Sequence, residues 1–262
     1  MSKRLVEVRN ASFKYAERVI FEALGLDLSA GEVLTVLGAN GCGKSTLLRC
    51  LAGALKLCEG SIRIAGEELA RLDASARARK VAILFQEHQA TFPFSALDVV
   101  TMGRTPYLSA LGAPSRHDRQ LAERSLEEFG LLHLKDRAYT GLSGGERQLV
   151  LLCRTLVQQP EVILLDEPTA HLDFKNQVRC LKLIGALAGR GVALVLTSHD
   201  PNHAFLFPGR ALLMQANRSI LIGAPSEIIT SASLAATYGI EVGVFSIPRA
   251  PPLQGLTVCS PW

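Results

Sequence analysis

Nine residues constrain this 262-residue chain more than any other stretch: Gly38-Ala39-Asn40-Gly41-Cys42-Gly43-Lys44-Ser45-Thr46. They match the pattern G-x-x-x-x-G-K-[ST] in full. Such a loop works between a strand and a helix. Its glycines let backbone N–H groups curl around phosphates, and the helix N-terminus adds partial positive charge. The flanks agree: Glu32 to Leu37 reads as a strand, and Leu47 to Ala52 continues as a helix that Gly53 weakens. In this setting Lys44 bridges the β- and γ-phosphates of a nucleotide and Ser45 ligates Mg²⁺.

Around that unit the pattern changes twice. Leu5 to Arg9 and Ser61 to Ile64 alternate as strands, Val19 to Leu28 reads as another, and Val81 to Phe85 is a short apolar strand. From Glu87 to Gln159 the chain turns mostly helical. Ser115 opens a capping box with Asp118, Gly130 is a stop, and Pro160 ends a helix from Glu146 to Gln159. Val162 to Leu165 and Val192 to Leu196 are then near-continuous apolar runs, as expected of covered parallel strands, joined by a helix from about Lys175 to Ala188. The fold class is therefore α/β: a phosphate-loop core with an N-terminal antiparallel β-subdomain and an inserted α-helical subdomain. The Pro-rich tail from Ala250 onward is expected to be loosely ordered.

Polar chemistry sits at strand ends, the edge where open α/β sheets bind ligands. Asp166 ends a buried strand, where Mg²⁺ would offset the cost of its charge. Glu167 follows and suits a general base for water. His199 ends the second strand. Leu142-Ser143-Gly144-Gly145-Glu146 opens a helix, so the N–H groups and the Ser143 hydroxyl form a second anion site.

Composition excludes several classes. Hydrophobic residues make up 48% of the chain, which supports a large core, and net charge is only +4, spread without a basic cluster. No nucleic-acid partner is implied, and Arg71 to Lys80 reads as a solvated helix face. None of the six cysteines forms a C-x-x-C pair, and Cys50, Cys153 and Cys180 fall in apolar helical patterns. A reduced, intracellular chain is expected. His203 lies four residues after His199, but no further ligand accompanies the pair, so a metal site is not expected. No apolar run approaches the roughly 20 residues of a bilayer span, so any spanning is done by another chain.

With these three motifs in this order, nearly the whole chain resembles the ATP-binding subunits of ABC transporters. Leu142 to Glu146 is similar to that family's signature, with Glu146 in place of a glutamine. The resemblance implies a P-loop ATPase fold in a single domain, 1–262. Residues 1–86 and 160–225 would form the nucleotide-binding core, 87–159 the helical signature subdomain, and 226–262 a C-terminal extension. It implies a head-to-tail dimer with a second copy, each ATP lying between one chain's phosphate loop and the other's signature. Tyr15 resembles the aromatic that stacks on adenine, and Gln86 the glutamine that links γ-phosphate and Mg²⁺ to the membrane contact. His199 resembles the histidine that touches the γ-phosphate, and Asp173 the aspartate that communicates across the dimer. At that last motif this chain has Ala170-His171-Leu172-Asp173 where the family usually has Ser-Ala-Leu-Asp. His171 would make closure pH-sensitive between about pH 5 and 8. Cys42, beside Lys44 and a helix N-terminus, is placed where thiols become reactive.

The segment Phe92 to Leu108 and the stretch Gly223 to Thr230 with Tyr238-Gly239 resemble one branch, importers of ferric siderophores, haem and cobalamin, with some molybdate importers. This implies multi-span permease subunits, a substrate-binding protein, and a position on the cytoplasmic face of a bacterial or archaeal membrane. The run from Phe92 to Val100 suits either docking or burial in its own subdomain. Soluble relatives in iron–sulfur assembly, of similar length, are the alternative from another class.

Overall fold

The computed structural model describes residues 3–85, 92–109, 112–170, 172–247 and 256–261. Gln86 and His171 lie outside the described residues. The chain begins β1 (Arg4–Tyr15), β2 (Arg18–Ser29), β3 (Val33–Gly38), α1 (Lys44–Leu51), β4 (Glu59–Ile64), β5 (Glu67–Glu68), α2 (Ala74–Lys80) and β6 (Val81–Leu84). A helical stretch follows: α3 (Ala96–Thr101), α4 (Arg116–Glu128) and α5 (Gly144–Val157). Then come β7 (Val162–Leu165), α6 (Phe174–Gly189), β8 (Ala193–Ser198), β9 (Gly209–Met214) and β10 (Ile220–Gly223). The C-terminal part adds α7 (Pro225–Ile228), α8 (Ser231–Tyr238), β11 (Val242–Ile247) and β12 (Leu256–Pro261).

Among the described residues these strands form three sheets. The central one has the order β10-β9-β3-β8-β7-β6, parallel except for β10. Every residue of β3, β7 and β8 is buried, the reason their sequences run apolar without alternation. Period-2 geometry still sorts them. Val162 and Leu164 face a cluster shared with the antiparallel sheet β2-β1-β4-β5 and α1, whereas Ile163 and Leu165 face one shared with the helical insertion and α6. The central sheet is thus covered on both faces by different layers, and β3 near its middle delivers the phosphate loop to the carboxyl edge.

The antiparallel strands are longer than the alternation suggests, because positive φ at Asn10 (47°) and Ala23 (47°) lets β1 and β2 bend through register shifts. Within the insertion, α4 carries the expected capping box between Ser115 and Asp118 and stops at Gly130, φ 66°. Arg104 ties this layer together: its Nε donates to Asp118 Oδ1 at 2.9 Å and its Nη1 to the Val157 carbonyl at 2.8 Å. The basic helix α2 buries no residue, as a solvated face requires, though Arg77 reaches back to the Gly53 carbonyl at 2.8 Å.

The C-terminal tail corrects one expectation. Instead of lying loose, Leu256–Pro261 pairs with Val242–Ile247 in an antiparallel hairpin, with Cys259 opposite Val244. Its Thr257-Val258-Cys259 alternation is a strand signal that the prolines upstream outweighed in the sequence.

Candidate functional site

The phosphate loop is shaped by its glycines. Gly41 and Gly43 have φ of 73° and 115°, and a Cβ on Gly43 would stand 2.3 Å from Ile20 Cγ2. Only glycine fits there. Lys44 begins α1 and is buried, with its ammonium donating to the carbonyls of Gly38 (2.7 Å) and Ala39 (3.2 Å). A buried ammonium held over a curl of N–H groups at a helix start is an anion-binding arrangement.

Asp166 and Glu167 follow directly on β7, both buried. Thr197, from the neighbouring strand β8 and fully buried, holds the two together. Its hydroxyl donates to Asp166 Oδ1 at 2.8 Å and accepts from the Glu167 N–H at 2.8 Å. Glu167 has φ of 49°, a left-handed backbone rare for a side chain of this kind. Its Oε1 is 4.0 Å from Lys44 Nζ, and its Oε2 is hydrogen-bonded to His199 Nε2 at 2.5 Å.

Lys44, Glu167 and His199 share one open cavity of about 730 Å³, lined also by Tyr15, Arg18, Asn40 and Ser45 among others. Tyr15 is 44% exposed and meets Phe13 in a T-shaped contact with ring centroids 4.9 Å apart. Asp166 has Oδ1 occupied by Thr197, and no hydrogen bond to Oδ2 occurs among the described residues. A carboxylate oxygen left open is the hard donor type that Mg²⁺ takes, as is the hydroxyl of Ser45 in the cavity lining.

The signature residues line none of this cavity. Ser143 caps α5 and Glu146 reciprocates, its Oε2 accepting from the Ser143 N–H and hydroxyl, both at 2.8 Å. Those hydrogen bonds, the N–H bond first, hold the Glu146 carboxyl below the usual range. Gly145 lies so close to Asn176 that a Cβ would meet its amide nitrogen at 2.4 Å. Asp173 caps α6, accepting from the Asn176 N–H at 2.8 Å.

The family model for ABC transporters matches residues 21–170, more than half of the chain. The chain belongs to the ABC transporter family. Among similar ABC transporter subunits, the hemin import ATP-binding protein HmuV of Gloeobacter violaceus is 37% identical over 252 residues, 94% of this chain and 91% of that one. The molybdate import ATP-binding protein MolC of Haemophilus influenzae is 37% identical over 244 residues, 92% and 90% of the two chains. A solved structure of a metal-chelate type ABC transporter in an inward-facing conformation superposes with a TM-score of 0.87 at 33% identity, covering 99% of this chain and 98% of that one. As a member of this family, the chain is an ATP hydrolase coupled to transport. Among the described residues no helix is long and apolar enough to cross a membrane, and no cluster suited to a further metal ion occurs.

The structure brings Tyr15, the loop residues, Glu167 and His199 into one place and leaves Leu142 to Glu146 and Asp173 elsewhere. Sequence reasoning missed Thr197 and Arg18, whose Nη2 donates to the Gly41 carbonyl at 3.0 Å. Thr197 sits inside an apolar strand, and its position two residues before His199 was the available signal. His203 is paired through Nδ1 with the Ser198 hydroxyl at 2.8 Å, and burial pushes its imidazole below the usual range.

Proposed function

We propose that this chain is the ATP-binding and hydrolysing subunit of an importer for a metal chelate of the haem, ferric-siderophore or cobalamin type, driven by closure of two copies around ATP. The observation that carries this is the cavity shared by Lys44, Glu167 and His199 with the signature outside it. A second copy supplies the missing half. Tyr15 stacks on adenine, the amides of Gly38 to Thr46 and the Lys44 ammonium hold the phosphates, and Ser45, Asp166 and Gln86 hold Mg²⁺. When bound, that ion neutralises charge on the phosphate oxygens. Glu167 accepts a proton from the attacking water, and His199 orients the water and the γ-phosphate. The partner copy's signature then binds the γ-phosphate, with Asp173 at the boundary.

On this reading residues 87–159 carry the signature and the membrane contact, 1–86 with 160–225 hold nucleotide, and 226–262 extend the core. The chain sits peripherally on the cytoplasmic face of a bacterial or archaeal membrane, with permease subunits and a substrate-binding protein. Similarity to MolC supports a second reading of the cargo, an oxyanion such as molybdate.

The test uses Glu167→Gln beside wild type, by size-exclusion chromatography with light scattering. A variant that hydrolyses little and dimerises only with MgATP supports the mechanism; one that stays monomeric with ATP bound defeats it. Co-purification with a multi-span permease, and stimulation of hydrolysis by a haem-loaded rather than a molybdate-loaded binding protein, separates the two cargoes.

A further inference from the structure

His199 projects from the end of β8, and its side chain is 49% exposed, so the cavity itself packs it poorly. The bonds inside its own segment are local: the Ser198 hydroxyl accepts from the Asp200 N–H at 3.0 Å and pairs with His203. Besides the bond from His199 to Glu167, three hydrogen bonds tie this segment to the C-terminal extension. The Tyr238 hydroxyl, at the end of α8, donates to the His199 carbonyl at 3.4 Å. Asn202, three residues past the histidine, grips the backbone of Cys259 on β12 at two points. Its Oδ1 accepts from the Cys259 N–H at 2.8 Å and its Nδ2 donates to the Cys259 carbonyl at 3.3 Å. The same Nδ2 donates to Asp200 Oδ1 at 2.7 Å, which carries the restraint back toward His199.

Apolar packing joins the same parts. A separate core cluster contains Leu37, the residue before the phosphate loop, with Ala204, Leu234, Val242 and Cys259. Burial pushes the Tyr238 phenol up to about 12, against a hydrogen bond from the Gly38 backbone. The hydroxyl therefore keeps its proton and remains a donor at any working pH.

We propose that the C-terminal extension is a brace for His199, with Asn202 and Tyr238 as positioning residues that hold its backbone so that the imidazole meets Glu167. The proposal rests on the reading of His199 as acting at the γ-phosphate. It gives the extension a part in hydrolysis: the histidine's backbone is fixed from α8 on one side and β12 on the other. A catalytic group held on one side only would sample positions in which it misses the phosphate, and small misplacements are costly to rate.

The experiment measures kcat and KM for MgATP on the full chain carrying Asn202→Ala, Tyr238→Phe or both, in wild-type and His199→Ala backgrounds. Neither change empties the buried core, and thermal melts confirm folding. In the wild-type background the double variant is expected to lose about five- to tenfold in kcat with KM within about twofold, a fraction of what a 1 Å misplacement costs. In the His199→Ala background the same changes should cost less than about twofold, because residues acting through one group are not additive. An equal loss in both backgrounds, or no loss in wild type, overturns the brace. Wild-type hydrolysis by His199→Ala alone would instead remove the reading on which it stands.

Discussion

Glu167 Oε2 and His199 Nε2 are 2.5 Å apart, although the carboxylate is buried and the imidazole half-exposed. Both residues line the cavity, the glutamate just past β7 and the histidine just past β8. On the proposed mechanism, replacing His199 with alanine removes the polar group that meets the γ-phosphate. The expected outcome is a fall of about 10²-fold in single-turnover hydrolysis with nucleotide affinity nearly unchanged. Equilibrium binding and quenched-flow measurements read the two quantities separately.

Thr197 joins Asp166 to the Glu167 backbone through one hydroxyl. Thr197→Val keeps the shape and removes both hydrogen bonds, leaving a buried carboxylate oxygen and N–H unpaired. A stability loss of about 1–3 kcal/mol follows, with a larger relative loss of hydrolysis than of ATP binding. Thr197→Ser, which restores the hydroxyl, should recover most of both. Urea unfolding and ATPase assays on the two variants check this.

The core of the site was legible because phosphate binding depends on backbone shape, and backbone shape depends on glycine. Gly41, Gly43, Lys44 and the Asp166–Glu167 pair could be placed from spacing alone. Thr197 and Arg18 could not, since their roles depend on which strands become neighbours. Thr197 matters because β8 lies beside β7, and Arg18 because β2 starts near the loop. The hairpin of β11 and β12 was hidden for the same reason: its partners are separated by a Pro-rich stretch that reads locally as a loop. At Leu142 to Glu146 the Ser143-x-x-Glu146 spacing is a capping-box pattern, and the structure has Glu146 Oε2 accepting from the Ser143 N–H and hydroxyl.

Asp118 lies in the insertion, with its carboxyl lowered to about 2 by hydrogen bonds from Ser115 and then by Arg104. A depressed folded-state value gives stability that is complete above the unfolded value near 4 and disappears as pH falls toward 2. The contribution at pH 7 is about 2 kcal/mol. Asp118→Asn should lose roughly that amount at pH 7 and show a flatter stability curve between pH 4 and 2. Urea melts across that range decide it.

Cys42 lies in the phosphate loop, where a Cβ on Gly38 would stand 2.6 Å from its sulfur. Its half-buried sulfur borders a cavity of about 320 Å³ that Ala39, Asn40 and Gly41 also line, so an adduct would sit against the loop backbone. Alkylation by a maleimide should abolish nucleotide binding, and MgATP should protect. Cys58 is exposed and reacts without consequence, while Cys50, Cys153 and Cys180 are buried, their thiols pushed up to about 12. Cys42→Ala should therefore retain activity after treatment, as mass spectrometry with ATPase assays will show.

The left-handed backbone at Glu167 sets activity against endurance. A side chain at φ 49° costs about 1–2 kcal/mol that glycine would not incur. Of two variants equally without the carboxylate, Glu167→Gly should melt at a higher temperature than Glu167→Ala. The difference measures how much robustness the protein forgoes to keep a carboxylate on a tight bend. Improvement for heat resistance alone would erode the chemistry first at this residue.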